Sequence, residues 1–322
     1  MMDRETLKRR APLYLAASAA VVVAVVYTAV WHAASIVMER TVHDVIAEQR
    51  AAGLHIQHGN IKRHGFPFFW RVRVETPAAT APGVGSWRGD ALEIDALPYD
   101  LSRIVFTFEG PQIFTPDPGL PVSARTITMD GARLRASISN ASDAPEGAPW
   151  RAAIDLREGT IAADGLGALT VERFTMDAFP QGDDALRFGG RANAFAWTDA
   201  VGVLAMDYLD FDMTGRPTDG GGAELDIAYI RVAAGGGAIS ADGRLFAPVD
   251  AATSGRFTVD VKKPKPVLDA VAAYGAISQE QADAASLALG VKGLAQGSGA
   301  ARSIIDFDAA GVRIDGETVA SF

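Results

Sequence analysis

A run of 28 residues without a formally charged side chain lies near the start of the chain, from Ala11 to Met38. As an α-helix rising 1.5 Å per residue, it would be about 42 Å long. The hydrocarbon core of a bilayer is about 30 Å thick, so the run is long enough to cross it. The run therefore predicts a transmembrane anchor helix over residues 11–38. The side chains that we assign to the anchor are Leu13, Val21, Val22, Val23, Val25, Val26 and Trp31, the last of them at the membrane–water interface.

The charges before this run predict its orientation. Lys8, Arg9 and Arg10 precede it, and basic residues beside a membrane helix tend to remain in the cytoplasm. Residues 1–10 are therefore expected to form a cytoplasmic tail, with everything after Met38 on the far side of the membrane. A cleavable signal peptide is the alternative, but its apolar core would be only about 7–15 residues long.

A second helical pattern follows the anchor directly. Over residues 39–53, Val42, Val45 and Ile46 fall near one helical face, and Gly53 is a typical stop signal. We expect a membrane-proximal helix that continues the anchor out of the bilayer.

The rest of the chain, residues 54–322, has an apolar period of two. In segments such as Trp70–Glu75 and 256–261, apolar and polar residues alternate, which is typical of strands with one dry face and one wet face. The pattern predicts a mainly β fold in which about a dozen strands form a long, twisted antiparallel sheet. Asp-Gly pairs, a strong hairpin signal, occur at residues 130–131, 164–165, 219–220, 242–243 and 315–316.

Two segments interrupt the strand pattern. Residues 140–149 are small and polar and contain proline, so we place a boundary between two halves of the body there. A helical pattern runs from Pro264 to about Leu289, and proline tolerates the first helical turn. We expect Gly275 to divide this C-terminal helical segment, Ser278 to cap its second helix, and the whole segment to pack on the sheet.

Composition excludes several kinds of chemistry. The chain has no cysteine, which excludes disulfides, thiolate metal sites and a cysteine nucleophile. Its five histidines all lie within the first 64 residues, so the remainder lacks the commonest general base. Residues 65–322 contain 22 basic and 34 acidic side chains, a net charge of −12 that disfavours nucleic-acid binding. We expect no cofactor and no nucleic-acid partner.

Two groups of side chains raise the question of catalysis or metal binding. His55, His58 and His64 have a weak zinc-like spacing, but we favour histidines near a membrane surface and expect no metal site. Asp210 and Asp212 lie two residues apart on a predicted strand, which favours a solvated sheet face over an acid–base pair or a Ca²⁺ site. We therefore assign no catalytic residue and expect that the protein is not an enzyme.

The densest group of aromatic residues consists of Phe66, Phe68, Phe69 and Trp70. They either begin the first strand and seal the end of a core, or form an aromatic plug at the membrane-proximal mouth of an apolar groove. In the second interpretation the rings pack against the bilayer surface or acyl chains. We assign these four residues as candidate ligand-binding residues.

Several motifs occur together in a recognisable order. They are Gly-Phe-Pro-Phe at 65–68, a tryptophan at 87, Ala-Leu-Glu-Ile at 91–94, a Pro-Tyr-Asp-Leu run within 97–104, and the glycine-punctuated strands at 236–245, 255–259 and 307–314. As a set they resemble domain of unknown function 2125, an uncharacterised Gram-negative family, over nearly the whole chain. The resemblance implies an inner-membrane anchor and a periplasmic body, but no activity. The order of anchor, box and serial strands is also similar to AsmA-like envelope proteins, which implies a curved, lipid-handling sheet with an apolar inner face.

Three hypotheses follow for the function. The first is an inner-membrane-anchored periplasmic protein that binds or passes membrane lipid along an apolar groove. The second is a structural or assembly factor that docks on another envelope protein, with a filled core and an exposed apolar patch. The third is an aspartate-based hydrolase, which requires carboxylates that converge in a cleft. We prefer the first to the second, and both to the third.

Overall fold

The computed structural model contains three helices and nineteen strands within residues 4–97, 100–119, 125–140, 148–182, 184–218, 222–248 and 252–320, which are the residues it describes; for residues 4–18 and Leu101 it describes the backbone alone. The helices are α1 (Arg4–Ala51), α2 (Pro264–Tyr274) and α3 (Gln279–Ala295). The strands are β1 (His55–Gln57), β2 (Ile61–His64), β3 (Trp70–Glu75), β4 (Ala78–Ala81), β5 (Gly85–Arg88), β6 (Ala91–Leu97), β7 (Asp100–Glu109), β8 (Gln112–Pro116), β9 (Ile127–Asn140), β10 (Trp150–Ala163), β11 (Gly167–Gln181), β12 (Ala185–Thr198), β13 (Val203–Pro217), β14 (Ala223–Ala234), β15 (Gly237–Ala247), β16 (Ser254–Lys262), β17 (Ala300–Asp308), β18 (Gly311–Ile314) and β19 (Glu317–Ala320).

The described strands form one antiparallel sheet that forks at β9. From β9 to β19 each strand pairs with the next in the chain. The last part of β9, residues 134–139, pairs with a branch ordered β7, β6, β3 and β2, whereas its first residues, 127–129, pair with a branch ordered β8, β5, β4 and β1. The prediction of a mainly β, long antiparallel sheet is confirmed.

The Asp-Gly pairs predict hairpins correctly at only some positions. Residues 164–165 lie between β10 and β11, and 315–316 connect β18 to β19. The hairpin prediction is wrong at 130–131 and 242–243, which lie inside β9 and β15. The physical reason is clear at Gly243, which has φ of 157° where the register between β14 and β15 shifts, so this glycine serves a bulge rather than a turn. Residues 219–220 lie outside the described residues.

The C-terminal helical segment has the architecture that the sequence predicts. Gly275, with φ of 95°, ends α2. A capping box begins α3, because the Ser278 Oγ accepts from the Gln281 amide and the Gln281 side chain accepts from the Ser278 amide. Helix α3 continues past the expected end near Leu289. Helix α2 packs on β13, β14 and β15 and buries Val267.

The sheet is a single layer with open faces rather than the wall of a filled core. The accessible surface of the whole chain is 19304 Å², which exceeds the roughly 12,700 Å² expected for a globular protein of 33.8 kDa. The projecting part of α1 supplies some of the excess. Leu156, Val72 and Val267 are the largest apolar side chains that are fully buried among the described residues. Most apolar side chains of the sheet are therefore covered on one side by their neighbours and open on the other.

Helix α1 is continuous through both predicted helical segments, 11–38 and 39–53, and ends at Ala51. The sheet is also continuous across the predicted boundary at 140–149, since Trp150 pairs opposite Asn140. Residues 141–147 lie outside the described residues, and the division of the body into two halves stays a prediction.

Candidate functional site

The loop between β2 and β3, residues 65–69, rests against α1; we call it the aromatic loop. The Trp31 indole N–H donates to the carbonyl oxygen of Phe69 at 2.9 Å, and the Tyr27 hydroxyl donates to the carbonyl oxygen of Pro67. The Trp31 ring, only 6% exposed, meets the Phe66 ring edge-on with 5.2 Å between centroids. Because Tyr27 and Trp31 belong to the uncharged run, the aromatic loop lies beside the C-terminal half of that run.

The four candidate ligand-binding residues divide into two kinds. Phe68 is 70% exposed, and Phe66 and Phe69 are also exposed. Trp70 is instead the first residue of β3, half-buried and paired opposite Ala96. The loop therefore presents three phenylalanine rings beside the anchor, and Trp70 belongs to the sheet that begins behind them.

Helix α1 has the length and apolarity to cross a membrane. Among the described side chains, the stretch of this helix from Ala19 onward is the one that meets that test by length and composition, which fits a single-pass anchor or a signal sequence. The side chain of Leu13 lies outside the described residues. Trp31, expected at the interface, is buried against the aromatic loop. The remaining anchor residues are exposed; they are Val21, Val22, Val23, Val25 and Val26.

An apolar cavity of about 350 Å³ opens between α1 and the fork of the sheet. One wall is a face of α1 that presents Met38, Val42, Val45 and Ile46, three of which were predicted to share a helical face. The other walls are β3, β6 and β7 of one branch and β1, β4 and β5 of the other. The membrane-proximal part of α1 therefore covers the entrance to the fork.

A second apolar cavity, of about 260 Å³, continues into the fork. Trp87 lines both cavities, and Phe108 and Phe114 face the second one from the two branches. Leu134 and Ile154 close it on the side of β9 and β10. Two neighbouring apolar cavities thus lie between α1 and the strands β9 and β10.

From the fork, apolar side chains continue across the sheet in register. One residue in each of twelve neighbouring strands, from β3 to β17, pairs with the next, and all twelve are apolar. This apolar row consists of Val74, Leu92, Phe108, Leu134, Leu156, Phe174, Ala192, Leu209, Val232, Ile239, Val261 and Ala301.

The sequence neighbours of the apolar row form an equally continuous polar row. Successive residues of a strand point to opposite faces, so the sheet has one apolar face and one polar face along its length. The polar row consists of Arg73, Glu93, Thr107, Arg135, Asp155, Thr175, Arg191, Asp210, Arg231, Ser240, Asp260 and Arg302.

Many carboxylates of the polar face are held in ion pairs across strands. Asp212, which shares this face with Asp210 as predicted, accepts from Arg187 at 2.7 Å. The Arg302 guanidinium donates to Asp260 at 2.9 Å and holds the pKa of that carboxyl below its ordinary value, against the opposing effect of burial. Carboxylates paired in this way stabilise the wet face of a sheet and are poorly placed for proton transfer.

Two of the histidines, His43 on α1 and His58 after β1, lie beside the entrance to the fork. The ring of His58 has Nδ1 2.8 Å from the carbonyl oxygen of Gly59 and lies 6.3 Å from the ring of His43. Among the described residues, no group of three or more histidine, aspartate or glutamate side chains is arranged to hold a metal ion.

Sequence reasoning missed the apolar row as a site. The alternation of apolar and polar residues around Leu156, Phe174 and Leu209 identifies the apolar face of each strand. It does not say which residues of neighbouring strands lie side by side. The register that aligns these residues depends on pairing between distant segments, which no local pattern specifies.

The comparisons with known proteins agree with the order of motifs in the sequence. A family model described as an uncharacterized protein conserved in bacteria (DUF2125) matches residues 31–313. No curated protein and no solved structure is significantly similar to the chain. The match begins at Trp31 on α1 and extends into β18, so it includes the aromatic loop, the fork and the apolar row. The chain therefore belongs to the DUF2125 family.

Proposed function

We propose that the protein is a non-enzymatic, lipid-binding or lipid-handling protein of the cell envelope, anchored in the inner membrane with its body in the periplasm. The apolar, exposed part of α1 supports the anchor. The basic residues Lys8, Arg9 and Arg10 at its start favour a cytoplasmic N-terminus. The sheet then stands on the opposite side of the membrane, with membrane lipid as its partner.

The apolar row is the observation that carries this proposal. The row members Val232 and Ile239 pack under α2, so the open part of the row spans the eight strands from β3 to β13. At about 4.8 Å per strand it extends over about 34 Å, slightly longer than the roughly 30 Å hydrocarbon core of a bilayer. Large side chains in a filled core are fully buried, whereas most of those along this row remain partly exposed. A continuous apolar surface of this extent is far larger than soluble monomers usually expose, and acyl chains are the apolar ligands that membranes supply.

The path for a lipid begins beside the anchor. The aromatic loop places Phe66, Phe68 and Phe69 next to α1, beside the C-terminal half of the uncharged run. Beyond Trp70 the two cavities follow one another, joined by Trp87. An acyl chain that leaves the bilayer at α1 would therefore meet apolar side chains at each step into the sheet, and the four aromatic residues would contact it first.

A charge placed on the apolar face tests the proposal. Ile138, on β9, lies on this face and is 50% exposed. The control position is Val203 on β13, which is 51% exposed and lies on the opposite face from its packed neighbour Leu204. The full chain, purified in detergent, is extracted with organic solvent, and its phospholipid is quantified by mass spectrometry. We expect the wild-type chain and Val203→Asp to retain phospholipid at the same ratio and Ile138→Asp to retain less. Equal ratios in all three chains, or no lipid in any, would contradict the proposal.

A second candidate, docking on another envelope protein, is favoured by one feature of α3. Leu287, Val291 and Leu294 are spaced by four and three residues and are all largely exposed, so they form an apolar stripe on the outside of the molecule. A photo-crosslinking amino acid at Leu294, compared with one at Glu280 of the same helix, tests this role in cells. A discrete protein adduct at Leu294 alone supports docking, and its absence argues against it.

A further inference from the structure

The polar face of the sheet contains an excess of arginine that contrasts with the acidic body. Six arginines lie on this face across β7, β9, β10 and β11, and two aspartates, Asp155 and Asp177, lie among them. Glu109, at the end of β7 on the same face, is held by Arg73 of β3. The six arginines and the two aspartates together carry +4, whereas residues 65–322 as a whole carry −12. We call this group the arginine patch; it consists of Arg103, Arg133, Arg135, Arg151, Arg157 and Arg173.

The two aspartates satisfy only part of the patch. Asp155 pairs with both Arg157 and Arg173, at 3.3 and 3.0 Å. Asp177 lies 3.6 Å from the Nε of Arg151, beyond hydrogen-bond distance. The remaining arginines of the patch have no carboxylate partner among the described residues.

Four buried polar atoms in this area have no hydrogen-bond partner within the part of the chain that the structure describes. They are the Nε atoms of Arg133, Arg135 and Arg151 and the hydroxyl of Thr107. Buried polar groups are nearly always satisfied in native proteins, and a cluster of exceptions points to an absent ligand or ion. The described chain has six such atoms in all, so most of them are concentrated here.

The patch also contains a recess. A cavity of about 320 Å³ is lined by Arg103, Arg151, Ser137, Ser139 and Ala153. Its three small lining residues lie on β9 and β10, where Ser137 pairs opposite Ala153 and Ser139 pairs opposite Arg151. Long cationic side chains around hydroxyl groups make a site for a compact, multiply accepting anion. The Arg103 guanidinium donates to the Ser137 hydroxyl at 3.4 Å and has no other side-chain partner within the described part of the chain.

We propose that the arginine patch binds a phosphate group. Guanidinium donors form paired, charge-assisted hydrogen bonds with phosphate oxygens, and the serine hydroxyls add further donors. The source favoured by the structure is a lipid headgroup. Arg103 and Arg151 precede and follow the exposed apolar residues Ile104 and Trp150 on the strand ends that also carry the aromatic loop. The site lies on the opposite face from the apolar row and does not depend on lipid binding there.

Calorimetric titration of the full chain in detergent tests the proposal with three probes: inorganic phosphate, a short-chain phosphatidylglycerol, and a short-chain diacylglycerol without phosphate. We expect Arg103→Gln/Arg151→Gln to weaken phosphatidylglycerol binding by at least roughly tenfold, since two charge-assisted hydrogen-bond donors are lost. The matched control is Arg244→Gln/Arg256→Gln, which removes the same charge from the polar face at β15 and β16. Its affinity should equal that of the wild-type chain.

The three probes distinguish a free-phosphate site, a lipid-headgroup site and lipid binding on the apolar face. If inorganic phosphate binds and the Arg103→Gln/Arg151→Gln chain binds it more weakly by the same factor, the site is assigned to free phosphate. If phosphatidylglycerol binds and inorganic phosphate does not, the site is assigned to a lipid headgroup. Diacylglycerol reports on the apolar face, so its failure to bind any variant would contradict the lipid proposal without touching this one. Equal phosphatidylglycerol affinity in both double variants would overturn the phosphate site. If the double variant fails to fold, Arg103→Gln alone, at an exposed position, decides the question by the same comparison.

Discussion

At the scale of single residues, Trp31 joins the anchor to the sheet. It supplies one hydrogen bond and one ring contact to the aromatic loop. We expect Trp31→Ala to lower the free energy of unfolding by about 3 kcal/mol, as for other large aromatic truncations. Trp31→Phe keeps most of the packing and should cost only about 1 kcal/mol through the lost hydrogen bond. Thermal unfolding of the full chain in detergent measures both, and a Trp31→Ala chain as stable as the wild type would show that the loop does not depend on this residue.

Asp199 gives the clearest expected pH dependence. Its carboxylate accepts from the Tyr274 hydroxyl at the end of α2 and from the Trp197 indole, and these hydrogen bonds lower its pKa from 3.8 to about 2. A depressed pKa in the folded state stabilises the fold above the ordinary pKa. We therefore expect this contribution to be complete above about pH 4 and to disappear as the pH falls toward 2.

Replacement of this carboxyl tests the expectation. Melting temperatures of the wild-type chain and Asp199→Asn, measured from about pH 5 to pH 2, should converge at the acidic end. Asp164→Asn, in another turn between long strands, is the control and should follow the wild-type curve. Parallel curves for wild type and Asp199→Asn would remove Asp199 as the cause.

At the scale of elements, β15 depends on a glycine inside the strand. A Cβ atom at Gly243 would lie 2.1 Å from the carbonyl oxygen of Arg256 on β16. Relief of that contact requires movement of paired backbone, so Gly243→Ala should cost at least about 2 kcal/mol. Gly236, in the turn before β15, also has a positive φ but has no atom within 4 Å of an added Cβ. Gly236→Ala should therefore cost only about 1–2 kcal/mol for the left-handed backbone. Denaturant unfolding compares them, and equal losses would contradict this assignment.

The same strands show how far local sequence predicts elements. The capping box at Ser278 and the strand alternation from Trp70 were predictable because both signals are contained within a few residues. The hairpin prediction at residues 242–243 was wrong because an Asp-Gly pair can supply the positive φ of a bulge as well as that of a turn. The fork at β9 was not predictable, since it is decided by strands far away in sequence. The extension of α3 beyond Leu289 was not predictable because this part of the helix packs on β17, a tertiary contact that the local helical pattern does not contain.

At the scale of the whole molecule, one helix is expected to hold the body on the membrane. A chain without residues 1–38 should leave the membrane fraction as an acidic β protein, because the span is removed. The exposed aromatic loop makes any remaining association peripheral, so a carbonate wash should release it. A truncated chain that stayed in washed membranes would contradict the single anchor. Loss of Trp31 and Ser35, which are buried against the first strands, should also make the truncated chain less stable than the full one.

The candidate site was predictable only in part, because most of it depends on how distant strands pair in the complete sheet. Phe66, Phe68 and Phe69 were recognisable as a candidate because they cluster in the sequence. The apolar row and the arginine patch are each assembled from residues on several different strands, and only the register of the complete sheet brings them together.

Photo-crosslinking at two adjacent residues of β13 tests the central claim most directly. Leu209 belongs to the apolar row and Asp210 to the polar row. Both lie in the eighth strand of the row, roughly 30 Å from β3 along the sheet, so bilayer lipid around the anchor does not reach them. With a photo-reactive amino acid at either position of the full chain in cells, we expect a phospholipid adduct at 209 and none at 210. Adducts at both positions, or at neither, would contradict a lipid path along the apolar face.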